Sequence, residues 1–266
     1  MTEGGLRDPA SRGRCPDIHE KGLKMRHSLL LLTTALLSPV AVAAQDQGKA
    51  FPVRYDQDAD KDIDDAFDEA FQVPLDSTTE MKAERTIDDA TYSFKPIALR
   101  PIGNDLWALL SIGSQQDAGH VSSGINAIHY LHAGEGGWKR VGEWLDVGAA
   151  GTFGNGATSW GFTKALGKNP YMITSGGGVW QGCAVSSAVV TELAPGGPVD
   201  RGAFIDSMSS GAGTGQKEQE YEGSIVAAVP DKSFTVAYTG TRAVKQQYVL
   251  KAGKYELVGK EEIPGC

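Results

Sequence analysis

Cysteine and histidine are scarce in this chain, with 3 Cys and 5 His among 266 residues. No Cys spacing of a metal site is present, and the one His-x-x-His pair, His129 and His132, falls on a strand where it cannot converge, so no metal and no cofactor is expected. There is also no Gly-x-Ser-x-Gly turn to expose a serine nucleophile. The glycine runs Gly176–Gly178 and Gly211–Gly215 lack the lysine and following helix of a phosphate-binding loop and read as connections. No basic stripe stands ready to neutralise phosphates, which excludes nucleic acid as a partner. Uninterrupted apolar sequence is short too. Even the nearly continuous stretch Leu29 to Leu37, which Thr33 and Thr34 interrupt, falls well below the roughly 20 residues that a spanning helix needs.

That stretch has a different meaning. Arg26 and His27 precede it and Ala41-Val42-Ala43 follows, which is the layout of a secretory signal peptide over residues 25–44. Residues 1–24 then read as an over-extended leader before Met25. Cleavage after Ala43 or Ala44 predicts a periplasmic or secreted product with no membrane insertion. Cys15 is lost with the leader, and Cys183 and Cys266 remain. Two cysteines in an oxidising compartment pair, so a disulfide joining them is expected.

Charge is distributed unevenly. Residues 45–91 hold 14 acidic and 5 basic side chains, whereas residues 92–266 hold 15 and 14. The acidity therefore belongs to a prefix and the body is close to neutral. Asp56 to Asp64 imitates a calcium loop, but Lys61 stands where such a loop needs glycine and Phe67 where it needs a bidentate glutamate. A helical period fits better. Ile63, Ala66, Phe67, Ala70 and Phe71 recur at three- and four-residue intervals with acids at the start, and Pro74 would stop the helix. The prefix is read as a short acidic amphipathic helix docked on the body.

Residues 92–266 repeat. Three segments beginning at Phe94, Trp160 and Gly223 each offer four short apolar or alternating runs, separated by Gly, Pro, Asn and Asp. Such spacing predicts an all-β body of three tandem four-stranded antiparallel units, propeller-like or merged into a sandwich or barrel. His129 and His132 fall on one such run, where residues three apart point to opposite faces and cannot share a metal.

The connections between runs are short at one end of such a body. At the other end they are long and rich in Gly and Ser, over 114–124, 147–159, 175–182 and 207–220. Function tends to sit on loops carried by a rigid scaffold. The elaborated end carries Gln115, Asp117, His120, Asn155, Trp160, Trp180 and Gln181. Trp180, set between three glycines and Gln181-Gly182, is the sharpest candidate, because an exposed indole stacks on a sugar or anchors a protein. The expectation is a non-enzymatic exported binder of an envelope protein or glycan. The alternative is an envelope-acting hydrolase with a loop-borne site around His120.

Overall fold

The computed structural model describes residues 62–73, 82–211 and 217–266, so the leader and signal peptide lie outside the described residues. The chain runs α1 (Ile63–Phe71), β1 (Ala83–Ile87), β2 (Ala90–Gly103), β3 (Leu106–Gln115), β4 (Ile125–Gly134) and β5 (Gly137–Leu145). It continues through β6 (Ser159–Thr163), β7 (Tyr171–Trp180), β8 (Cys183–Ala194), β9 (Gly197–Ser210) and β10 (Gln219–Val229). β11 (Ser233–Gly240), β12 (Val244–Lys251) and β13 (Lys254–Leu257) complete it.

The body is all-β, as its alternating pattern predicts, but it is not three blades. β1 to β5 form one antiparallel sheet in chain order, and β6 to β13 form a second, continuous sheet of eight strands. The second and third repeat segments are fused by β9 and β10, where Met208 stands opposite Tyr221. The first sheet begins at Ala83, inside the stretch assigned to the prefix, because β1 pairs with β2 from Ala83↔Phe94 to Ile87↔Ala90.

Strand ends follow local chemistry. Tight two-residue turns need left-handed backbone, and Asn104-Asp105, Gln181-Gly182 and Ala252-Gly253 all supply it. Prolines within β2 fall where the register with β3 slips, at Pro96 and Pro101, so the missing N–H groups do not break the ladder.

Three cores follow from the faces of the sheets. The stripe Ile63, Ala66, Phe67, Ala70 and Phe71 of α1 is wholly buried. It covers Phe94, Leu99, Leu109, Ala127 and Leu131 on one face of the first sheet. Ala98, Leu110, Ile128 and Tyr130 on the opposite face meet Met172 and Leu193 of the second sheet. The eight-stranded sheet curls, so that β13 returns to β9. Arg201 donates to the Gly253 carbonyl at 2.9 Å and Lys254 reaches Asp200 at 2.7 Å. The curl encloses an aromatic core of Tyr171, Phe204, Tyr221, Phe234, Tyr238, Tyr248 and Tyr255, into which Ile263 of the C-terminal stretch is inserted. Cys183 and Cys266 are bonded, with Cα atoms 5.6 Å apart, and fasten that stretch to the start of β8. No helix among the described residues is long and apolar enough to cross a membrane.

Candidate functional site

The candidate residues are organised by the connector between the sheets, residues 146–158. Asn126 of β4 is buried and anchors it. Its side-chain oxygen accepts the Ala157 N–H at 2.7 Å, and its amide donates to the carbonyls of Val147 and Ala149 at 3.0 and 2.8 Å. The connector then runs along β7. Thr152 donates its N–H to the Gly177 carbonyl at 3.0 Å, and Thr158 donates to Ser175 at 2.8 Å. Thr152 also bridges Ser123 of the preceding loop.

This contact explains the glycines before Trp180. Residues 175–182 are not a long loop but the end of β7 and a two-residue turn. A Cβ on Gly176 would lie 2.2 Å from the Ala150 backbone, so only glycine lets the connector approach. At Gly178 the Cβ position lies 2.5 Å from Thr152 Cγ2 and 2.6 Å from Trp180 Cη2. The indole of Trp180 therefore lies back over Gly178 beside Thr152, yet the residue remains 46% exposed. Cys183 stands directly opposite Trp180 across the turn, so the disulfide braces the hairpin that carries the indole.

Phe153, next to Thr152, was not singled out by sequence. It is 49% exposed and holds a left-handed backbone at φ 58°. For a bulky residue that conformation costs about 1–3 kcal/mol and persists only when its surroundings impose it. They do so here through adjacent bonds. Gly154 donates to Ser122 at 2.9 Å and Gln115 donates to Gly154 at 2.8 Å. The signal was legible: a lone aromatic set in Gly151-Thr-Phe-Gly-Asn-Gly156, the same arrangement that drew attention to Trp180. Val121 is 77% exposed at the same end, and Val179 is exposed on the other face of the hairpin from Trp180.

The remaining candidates divide. His120 is exposed and its ring lies 4.7 Å from that of Phe153. Among the described residues no carboxylate or hydroxyl hydrogen-bonds it. Asp117 and Gln181 are exposed turn residues at φ 52° and 49°. Asn155 is a frame residue, because its carbonyl accepts the N–H groups of Gly124 and Gly151 and its side chain donates to Thr152. Trp160 lies on β6, half-buried against the core between the sheets instead of on the loop surface.

His129 and His132 are separated as expected, with His129 buried beneath α1 and His132 exposed. Among the described residues no group of three or more His, Cys, Asp or Glu side chains is placed to hold a metal. The structure thus brings Trp180, Phe153, His120 and Val121 to one rim, built on the hairpin β7–β8 and the connector. Comparison with known proteins gave no match: no family model fits the chain, and no characterised protein or solved structure is similar to it.

Proposed function

We propose that the protein is an exported, non-enzymatic binding protein that holds a protein or glycan of the cell envelope on the rim of Trp180, Phe153, His120 and Val121. One observation carries the reading. Phe153 pays for a left-handed backbone and yet presents its ring to solvent, where it adds little to the fold, beside a second exposed aromatic on a braced hairpin. Strain held at a surface aromatic is what a preorganised contact requires, since it removes ordering cost from the binding step. The signal-peptide pattern and the disulfide support export. The hydrolase reading has less behind it, because the His120 ring lies tilted against Phe153 and no acid or nucleophile among the described residues is hydrogen-bonded to it.

The test compares the intact exported protein with Trp180→Ala and Phe153→Ala. Their retention by immobilised envelope proteins and by glycan fragments is measured beside their melting temperatures. Truncating an anchor of this kind typically costs about 2 kcal/mol or more of binding. Loss of retention with nearly unchanged melting supports the rim as the working surface, and the matrix that loses it identifies the partner class. Equal retention by all three proteins overturns the reading.

A further inference from the structure

Helix α1 is seated over a histidine that the rim does not use. His129 on β4 is fully buried, and its ring centroid lies 4.5 Å from that of Phe71 on α1. Its Nε2 lies 3.1 Å from Glu143 Oε1 on β5. Against an ionised carboxylate Nε2 carries the proton, which leaves the lone pair on Nδ1. That atom has no hydrogen-bond partner among the described residues. A lone pair is tolerated in such a place, but a second proton would put an unpaired donor and a charge beneath the helix.

The charged groups around the ring come from three elements. β5 contributes Glu143 and Arg140, whose guanidinium donates to the Ala70 carbonyl at 2.8 Å and lies 3.7 Å from Glu143. β1 contributes Arg85, which donates to the Phe71 carbonyl and lies over the Phe71 ring. α1 contributes Glu69, which accepts the Arg140 backbone N–H at 3.1 Å. On the sides of β2 and β3 the cluster is apolar, with Phe94, Leu99 and Leu109. Two guanidiniums thus already clamp the last turn of the helix, and a cationic imidazole would be a third positive group there.

We propose that His129 makes the docking of α1 sensitive to pH: the neutral ring seats the helix, and protonation in mildly acidic surroundings lifts it from the sheet. Burial lowers the basicity of the ring, the hydrogen bond and charge of Glu143 oppose this, Arg140 and Arg85 add to it, and the net direction is downward from 6.5. A group whose pKa is depressed on docking binds its proton more readily when the helix is away. Docking is therefore at full strength above about pH 6.5 and weakens as pH falls below it, by at most about tenfold per pH unit for one proton. The acids of α1 act in the opposite sense and in a lower range. Burial, then Asp65 and Asp64, raise the Asp68 carboxyl above its usual value, so protonating it favours the docked helix. Release would expose Phe94, Leu109, Ala127 and Leu131 and free the acidic helix.

Hydrogen exchange of the full chain tests this, read on residues 62–73 at pH 7.5, 6.5 and 5.5 and corrected for the intrinsic pH dependence of exchange. The opening of α1 should rise several-fold to about tenfold between pH 6.5 and 5.5 while β7 and β8 keep their protection. His129→Phe should abolish that rise. Should that variant not fold, His129→Gln decides, because its amide can still meet Glu143 but takes no second proton. Its α1 should show no such rise between pH 6.5 and 5.5. A pH-independent helix in the unaltered protein, or the same slope in whichever of the two variants folds, would overturn the proposal.

Discussion

The five-stranded sheet has two buried faces and relies on other elements to cover both, whereas the eight-stranded sheet curls and buries one face against itself. The first takes its cover from α1 on one side and from Met172 and Leu193 on the other. The second closes β13 on β9 and fills its curl with seven aromatic rings from Tyr171 to Tyr255. The difference lies in which strands curl: β9 to β13 twist far enough for β13 to return to β9, whereas β1 to β5 do not close on themselves and are covered by other elements. A consequence is that the first sheet is covered by a separate element, α1, whereas the second is covered largely by its own curl.

The disulfide offers the largest way to break the comparison. It closes a separation of 83 residues across the curled sheet, and a loop of that length contributes about 4–5 kcal/mol on the chain-entropy model. Cys183→Ser should therefore lower the denaturant midpoint strongly and loosen the C-terminal stretch, as hydrogen exchange across β8 and residues 258–266 would show. Phe71→Ala acts on the other sheet. Removing a fully buried ring costs about 3–5 kcal/mol, and here the loss falls on docking. Exchange should accelerate in α1 and β4 and remain slow in β11 and β12. Acceleration throughout would mean that the two sheets unfold as one unit.

Asn126→Ala sharpens the comparison where the sheets meet. It strips the Ala157 N–H and two carbonyls of their partner, for an expected loss of about 2–4 kcal/mol by thermal melting, with faster exchange across residues 147–158. Lys254→Ala has the smallest effect. The pair it forms with Asp200 is more than half exposed, and such pairs contribute about 0–1 kcal/mol. Burial raises the Asp200 carboxyl, but the Lys254 ammonium and the Gly202 N–H outweigh it and hold the group below its usual 3.8. That contribution is present above about pH 4 and is lost as pH falls below it, so the variant should differ least from the parent in strong acid.

Much of the secondary structure was legible because its causes are local. Each run from Phe94, Trp160 and Gly223 onward falls on a strand from β2 to β13, since alternation and turn residues act over a few positions. The stripe of α1 was legible for the same reason. Glycine misled the reading of loops. Gly176 and Gly178 suggested a flexible connection, but they lie in β7 and make room for the backbone of the connector and for Trp180. Phe153 was legible as an aromatic among glycines, but nothing in the residue itself announces its left-handed backbone. The neighbours that impose it, Ser122 and Gln115, lie about 30 to 40 positions away.

By itself the sequence determined an all-β body and the helix with its buried stripe, and it offered Cys183 and Cys266 as partners. Those are consequences of short-range periodicity and of counting. Tertiary structure alone decided that the repeats fuse into sheets of five and eight strands. An apolar face states that it must be covered but not by what, and Met208 accepts Tyr221 as readily as any other apolar partner. Tertiary structure alone also gathered Trp180, Phe153 and His120 at one rim, because hydrogen bonds between distant backbone segments carried them there.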